Sequence, residues 1–166
     1  MKETVYALEN RTNSQSENYI DSIQAQSNKS TILVIEDSAD EWFLLRWTLS
    51  KQFPSAETVW LSDAMQTLGY LERFAWSEQS LPTMILLDLY LPSAQAGFNL
   101  LQTIKSHHRL VNVPVVVISR SNRVEDITQA FGCFSNAFLV KPDEYLDWPD
   151  AFTLLNQYWP GSGTLV

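Results

Sequence analysis

Five short runs of apolar residues are spaced along the chain from Thr31 onward, and each run is followed by a longer, more polar stretch. Within the runs the apolar residues are consecutive, which is typical of strands that are buried on both faces of a sheet. We predict strands over residues 31–35, 56–61, 83–89, 113–119 and 136–142.

The stretches after these strands have the length and apolar spacing of helices. We predict helices over residues 40–53, 62–75, 98–108, 123–132 and 148–159. Pro54 ends the first helix, and Ser62 is a suitable N-cap for the second. Regular alternation of strands and helices predicts a doubly wound α/β domain, in which a five-stranded parallel sheet is covered by five helices on its two faces.

The ends of the chain differ from this pattern. Residues 1–30 are rich in Asn, Ser, Gln and Glu and have few apolar residues, so we predict a disordered polar extension there. The domain is expected to occupy residues 31–160, followed by a short tail over 161–166.

Chemically reactive side chains stand at the ends of four predicted strands. Glu36 and Asp37 follow the first strand, Asp88 ends the third, Ser119 the fourth and Lys141 the fifth. Functional residues of doubly wound sheets gather at the carboxyl ends of the strands. We therefore expect three carboxylates, a hydroxyl and an ammonium group to converge on one edge of the sheet.

This set of groups favours phosphoryl chemistry. Close carboxylates repel one another and attract a cation, and hard oxygen ligands suit Mg²⁺. A carboxylate between Mg²⁺ and a lysine can attack a phosphoryl group, whose charge the two cations would neutralise. The sequence thus predicts an acyl phosphate on Asp88, with Lys141 and Ser119 contacting the remaining phosphoryl oxygens.

Composition narrows the class of partner. The net charge of −8 and pI of about 4.6 argue against nucleic-acid binding. No apolar run approaches the length of a membrane span, and the N-terminus lacks the apolar core of a secretory signal. The single cysteine, Cys133, cannot form an internal disulfide, which fits a cytoplasmic location.

Four segments together resemble the receiver domain of bacterial response regulators, which has the CheY-like, flavodoxin-like fold. They are ILVIEDS, ILLDLYLP, VVVIS and AFLVKP, and the resemblance covers about residues 31–160. The amino-acid sequence around these segments is similar to that of single-domain regulators paired with bacterial phytochromes and other cyanobacterial kinases. The resemblance implies a cytoplasmic two-component signalling protein rather than an enzyme.

The resemblance also implies roles at the phosphorylation site. Asp88 would be the phosphoacceptor, and Asp37 would bind Mg²⁺ directly while Glu36 acts through water. The backbone carbonyl of Tyr90 would be a further metal ligand, which leaves its side chain free to vary. Lys141 would pair with the phosphoryl group, and the Lys141–Pro142 peptide bond would be cis.

A switch is implied as well. The Ser119 hydroxyl would move towards the phosphoryl group, and Phe138 would fill the space that it leaves. The surface of the fourth helix, fifth strand and fifth helix would change and would contact a downstream protein or a second copy of the chain. The phosphoryl group would come from a histidine kinase or a phosphotransfer protein.

Three further features depart from the family pattern. Arg120 stands where a small residue is usual, which suggests slow dephosphorylation. Residues 93–97, after Pro92, form a loop that lacks the usual acid before its glycine. Phe134 stands where a glycine often ends the fourth helix, so this helix is expected to stop at Gly132.

The sequence is also compatible with a function other than phosphorylation, and it disfavours two more. Arg120 and the altered loop allow a receiver-like interaction module that works independently of phosphorylation. An aspartyl phosphatase is disfavoured because Tyr90 replaces the second aspartate expected two positions after the nucleophile. A flavin- or nucleotide-binding domain is disfavoured because no glycine-rich turn follows the first strand.

Overall fold

Five parallel strands form one sheet in the structure, a computed structural model that describes residues 30–76 and 80–160. The strands are β1 (Thr31–Ile35), β2 (Glu57–Leu61), β3 (Met84–Asp88), β4 (Val115–Ser119) and β5 (Ala137–Val140). Their order across the sheet is β2-β1-β3-β4-β5. All five predicted strands are confirmed, with ends that differ by up to two residues. The predictions for residues 1–29 and 161–166 lie outside the described residues.

Helices lie on both faces of the sheet, as the alternating pattern predicts. They are α1 (Ala39–Gln52), α2 (Ala64–Trp76), α3 (Ala94–Ser106), α4 (Val124–Gly132) and α5 (Trp148–Ala151), and a 3₁₀ helix continues α5 over Phe152–Tyr158. Another 3₁₀ turn, Tyr145–Asp147, precedes α5. Within the described parts of the chain, no helix has the length and apolar character needed to cross a membrane.

Side-chain alternation along the strands divides the core into two layers. Ile32 and Val34 of β1 belong to the layer beneath α1 and α5, which also contains Leu45 and Trp148. Leu33 of β1 belongs to the opposite layer, beneath α2, α3 and α4. Because successive side chains of a strand point to opposite faces, strands that serve both layers must be apolar throughout.

The ends of two helices differ from the prediction. The side chain of Asp63, rather than Ser62, caps α2, and its Oδ1 accepts the Gln66 N–H at 2.8 Å. A carboxylate in this place also interacts favourably with the helix dipole. Residues 94–97 are the first turn of α3 rather than a loop, because Ser93 caps that turn by accepting the Ala96 N–H at 3.3 Å.

The last helix is largely 3₁₀ rather than α-helical as predicted over residues 148–159. The hydroxyl of Thr153 donates to the Asp150 carbonyl at 2.7 Å, so this carbonyl already has a partner where the α-helix gives way. Trp148, Phe152 and Leu155 are nevertheless buried in the layer beneath α1. The segment therefore keeps its packing role in spite of its tighter winding.

Helix α4 ends at Gly132, as predicted, through a Schellman motif. The Ser135 N–H bonds the Ala130 carbonyl at 3.0 Å, and the Phe134 N–H bonds the Phe131 carbonyl at 3.0 Å. Phe134 occupies the left-handed position of this motif, with φ at 65°. Glycine adopts this backbone conformation without the steric cost that a Cβ brings.

We expect Phe134→Gly to raise the free energy of unfolding by about 1 kcal/mol, because it removes the Cβ from a left-handed residue. The Phe134 side chain is 76% exposed, so its loss sacrifices little packing. Phe134→Ala is the control, since it removes the ring and keeps the Cβ. Urea denaturation that shows the same gain for both variants would contradict this explanation.

Gly97 allows helix α3 to pack closely against the backbone at the end of β3. A Cβ built on Gly97 would lie 2.0 Å from the backbone oxygen of Leu89, the residue after Asp88. We expect Gly97→Ala to lower the free energy of unfolding by about 3 kcal/mol, because backbone must move to admit the methyl group. Thermal or chemical denaturation measures the change.

Gly69 provides the matched control for this substitution. It also lies inside a helix, α2, but nothing stands within 4 Å of a Cβ built on it. Gly69→Ala should therefore raise the free energy of unfolding by about 0.5–1 kcal/mol, through the better helix propensity of alanine. Equal effects of the two substitutions would show that the Leu89 contact does not matter.

Candidate phosphoryl-acceptor site

Strand alternation brings three of the predicted site residues to the same face of the sheet. Met84 and Leu86 of β3 pack beneath α1, and Asp88 continues their alternation. Glu36 continues the alternation of Ile32 and Val34 in the same way, and Lys141 that of Leu139. These three side chains therefore meet where β1, β3 and β5 end, next to the N-terminus of α1.

Lys141 is at the centre of the site. Its Nζ donates to Oε2 of Glu36 at 2.7 Å and lies 3.3 Å from Oδ1 of Asp88. A third, short hydrogen bond joins Nζ to Oε2 of Glu41. The Lys141 side chain is 2% exposed. Burial acts to lower the pKa of Lys141, but the charges of Asp88 and Glu36 outweigh it and hold the pKa above its ordinary value.

Glu36 is fixed by its own surroundings. Its Oε1 accepts the Ser38 N–H at 3.0 Å, and its backbone carbonyl accepts the indole N–H of Trp60 at 2.7 Å. Burial raises the pKa of Glu36 to about 7, although Lys141 acts in the opposite direction. Burial likewise raises the pKa of Asp88 above its ordinary value. Both carboxylates thus lack the solvation that would normally favour their charged form.

The chemistry of this donor set fits a divalent cation. Glu36, Asp37 and Asp88 each offer one carboxylate oxygen, and these oxygens lie within 4.8 Å of one another. Asp37 is exposed, while Glu36 and Asp88 are buried. Closely spaced carboxylate oxygens with an open side suit Mg²⁺, which keeps several of its own waters. The structure therefore brings together the three predicted carboxylates in an arrangement that can hold the ion.

Glu41 is a site residue that the sequence reasoning missed. It lies in the first turn of α1, where Ser38 caps the helix by accepting the Glu41 N–H at 3.3 Å. Its carboxylate bridges two cations: Oε2 accepts from Lys141, and Oε1 accepts from Nε of Arg120 at 2.7 Å. Burial opposes its ionisation, but these bonds prevail and hold the pKa of Glu41 below its ordinary value.

The position of Glu41 could have been noticed. It stands four residues after Asp37, which is one helical turn if the helix starts directly after the acidic pair. The partner of Arg120 in the structure is Glu41. Its hydrogen bond and ion pair with Glu41 raise the pKa of Arg120.

Ser119 is buried at the end of β4. Its Oγ accepts the Ser121 N–H at 3.1 Å, and its carbonyl accepts the Lys141 N–H at 2.7 Å. Phe138 is half-buried against the layer beneath α2, α3 and α4, next to Val117 of β4. Both residues thus lie on strands that border the site, while the switch assigned to them stays a prediction.

The prediction of a cis Lys141–Pro142 bond is wrong. Within the described residues, the cis peptide bond lies at Leu91–Pro92. The trans form that Lys141–Pro142 adopts is the one that ordinary X–Pro bonds favour.

A second hydrogen-bond network connects the loop after β3 with the start of α4. The carboxylate of Asp126, which is buried, accepts from the Tyr90 hydroxyl at 3.0 Å and from Oγ of Ser121 at 2.5 Å. Ser121 in turn donates its backbone N–H to Ser119. The Tyr90 side chain therefore has a definite partner, which the prediction of a freely variable residue did not foresee.

A cavity of about 550 Å³, open to solvent, is lined by the charged groups of the site and by two residues of the second network, namely Glu36, Asp37, Glu41, Asp88, Arg120, Lys141, Tyr90 and Ser121. Besides the residues already described, its wall includes Asn122 and Arg123. A cavity of this size admits a phosphoryl group together with part of the molecule that carries it.

Comparisons with known proteins agree with this geometry. The family model described as the response regulator receiver domain matches residues 32–146. A probable methanogenesis regulatory protein, FilR2 of Methanothrix harundinacea, is 32% identical over 130 residues, which are 78% of this chain and 83% of that protein.

Two cyanobacterial response regulators are also similar. Rcp1 of Synechocystis is 29% identical over 81% of this chain and 91% of its own length. A solved Mn²⁺-bound form of Rcp1 superposes with a TM-score of 0.69, covering 82% of this chain and 99% of that one at 27% identity. The phosphorylated cyanobacterial phytochrome response regulator RcpA gives a TM-score of 0.70 at 27% identity, over 82% and 97% of the two chains.

Proposed function

The chain belongs to the family of response regulator receiver domains, and on that premise we propose that it accepts a phosphoryl group on Asp88. The donor is a histidine kinase or a phosphotransfer protein, and the output is a protein contact made by the domain of residues 31–160. The observation that supports this most is the contact of Lys141 with both Asp88 and Glu36, beside the open side of the carboxylate cluster.

In the proposed reaction, a carboxylate oxygen of Asp88 attacks the phosphorus of a phosphohistidine on the donor. The new P–O bond to Asp88 forms as the P–N bond breaks, and the imidazole nitrogen keeps the electron pair and takes a proton from solvent. Lys141 holds Asp88 in place and meets the charge on the transferred oxygens. No proton has to leave Asp88 when it is ionised.

Glu36, Asp37 and Asp88, with the Tyr90 backbone carbonyl, would hold Mg²⁺. When bound, Mg²⁺ neutralises negative charge on the phosphoryl oxygens. Rcp1, a similar protein, has been solved in a Mn²⁺-bound form, which supports the proposal of a divalent cation in this chain. Burial of Glu36 and Asp88 adds a physical reason, because both carboxylates are poorly solvated without a cation.

The proposed switch uses groups that already touch the site. The Ser119 hydroxyl rotates away from the position in which it accepts the Ser121 N–H and donates a hydrogen bond to the phosphoryl group. Phe138, which is half-buried, then turns into the space beside β4. Such a change at the strand ends reaches α4 and β5 directly, because α4 begins shortly after β4 ends at this edge and β5 ends beside β4 there.

The surface of α4, β5 and the turn after β5 is the proposed contact region, with a downstream protein or a second copy of the chain as its occupant. Exposed apolar side chains are concentrated here. They are Val124, Phe131 and Phe134 of α4 and its end, Val140 of β5, and Tyr145 and Leu146 of the 3₁₀ turn. Large apolar patches on a protein surface mark interaction sites more often than scattered single residues do.

The central test is phosphorylation itself. Incubated with Mg²⁺ and acetyl phosphate, the protein should gain the mass of one phosphoryl group, because Asp88, Lys141 and the metal site are assembled. Intact mass spectrometry measures the gain. Asp88→Asn and a chelator should each abolish it, since they remove the acceptor and the cation.

A protein that stays unmodified with acetyl phosphate and also with histidine-kinase donors would refute the proposal. The remaining interpretation would then be an interaction module that works without phosphate. A mass gain that persists in Asp88→Asn would place the acceptor elsewhere.

Arg120 is expected to prolong the life of the acyl phosphate by shielding it from water at the mouth of the cavity. Arg120→Ala should shorten the half-life of phosphorylated Asp88 by about fivefold, which corresponds to a fall of about 1 kcal/mol in the activation free energy of hydrolysis. Arg123→Ala is the matched control, because Arg123 lines the same cavity, is equally exposed and pairs with Glu125 instead. Equal half-lives of wild type and Arg120→Ala would refute the shielding role.

A further inference from the structure

We propose that Glu41 is a built-in competitor of the phosphoryl group, which lowers the affinity of the resting site for anions. This inference rests on the proposed function, because it assigns a further role at the same site. In the resting structure the Glu41 carboxylate occupies Lys141 and Arg120, the two cations that an anion on Asp88 would otherwise use.

The contacts of Lys141 favour two carboxylates over that of the acceptor. Nζ of Lys141 donates hydrogen bonds to Glu41 and to Glu36, while Oδ1 of Asp88 lies farther away, at 3.3 Å. The acceptor therefore shares its lysine with a residue that has no place in the transfer step. A phosphoryl group on Asp88 would bring additional negative charge towards an ammonium that already has a close partner.

Glu41 is also the partner that can leave. Its side chain is 16% exposed, whereas that of Glu36 is 1% exposed and is tied to the Ser38 N–H. Glu41 is held from the solvent side by Arg120, whose side chain is 66% exposed. Displacement of Glu41 moves a carboxylate towards water, and this costs much less than displacement of a buried one.

Displacement would free two cations at once. Lys141 and Arg120 approach opposite oxygens of the same carboxylate, so an anion that repels Glu41 gains access to both. The resting ion pairs would thus select among anions. A weakly bound anion meets a Lys141 whose charge Glu41 already neutralises, whereas an anion held on Asp88 displaces Glu41. Glu41 would in this way select for a phosphoryl group delivered by a docked donor.

The test measures anion affinity without turnover. Beryllium trifluoride binds to carboxylates in the geometry of a phosphoryl group, and ¹⁹F NMR reports its bound fraction in the full-length protein with Mg²⁺. We expect Glu41→Gln to bind this anion about tenfold more tightly than wild type, a factor that reflects the loss of one competing charge. Thermal denaturation of the same samples reports whether the fold is intact.

Asp40→Asn is the matched control. Asp40 precedes Glu41 in the same helical turn and is exposed, so its substitution removes an equal charge at nearly the same place. It leaves the contacts of Glu41 with Lys141 and Arg120 in place, and the affinity should stay within twofold of wild type. Glu41→Asp keeps the charge and shortens the side chain, and it should give part of the gain.

Each outcome decides the question. A gain in Glu41→Gln with little change in Asp40→Asn supports the inference, whereas no gain, or the same gain in both, overturns it. A Mg²⁺ titration that shows a large loss of metal affinity in Glu41→Gln, together with weaker anion binding, would make Glu41 a metal ligand and also overturn it. If wild type binds no anion while Asp88→Asn behaves identically, the proposed function itself fails, and this result is distinct from the others.

Discussion

The buried ammonium group of Lys141 is the constraint on which the rest of the site depends. An unpaired charge at a position 2% exposed would be prohibitively costly, so its surroundings must supply opposite charge in the right places. Glu36, Asp88 and Glu41 do so from the end of β1, the end of β3 and the first turn of α1. The parallel direction of the strands makes this possible, because it brings the carboxyl ends of β1, β3 and β5 to the same edge.

The same arrangement leaves an excess of negative charge. Four carboxylates, those of Glu36, Asp37, Glu41 and Asp88, line the cavity together with Lys141, Arg120 and Arg123. Arg123 pairs with Glu125 outside the cavity, so the other six groups, when all are ionised, leave an excess of two negative charges, which is what one divalent cation carries. Burial disfavours the charged form of Glu36 and raises the pKa of this carboxyl group to about 7. The three clustered carboxylates can thus hold a divalent cation, and the ion pairs of Glu41 occupy Lys141 and Arg120.

Much of this could be predicted from the sequence, since the strands are short, apolar and bounded by clear changes of pattern. The apolar run that ends at Asp88 indicates a strand buried on both faces of the sheet. The parallel arrangement then places Asp88 at the carboxyl edge of the sheet. The differences have local causes that pattern alone does not contain. The cap of α2 depended on the choice between adjacent Ser62 and Asp63, and the last segment winds as a 3₁₀ helix where the Thr153 hydroxyl bonds the Asp150 carbonyl.

Glu41 and Asp126 show why part of the site escaped prediction. Each is an acid in the first turn of a helix, where acidic residues commonly serve the helix terminus alone. Their contacts with Lys141 and Tyr90 arise from the tertiary arrangement, which brings helix starts against strand ends. Asp126 joins Tyr90 to Ser121, and Ser121 reaches Ser119, so the loop that follows the acceptor is already connected to the start of α4. A rotation of the Ser119 hydroxyl would break its hydrogen bond with the Ser121 N–H and so disturb this network. Helix α4, which the network contacts, carries the exposed side chains of Val124 and Phe131. The switch proposed for Ser119 would therefore act on α4 through these hydrogen bonds and the few residues between Ser119 and Val124, without a large rearrangement of the core.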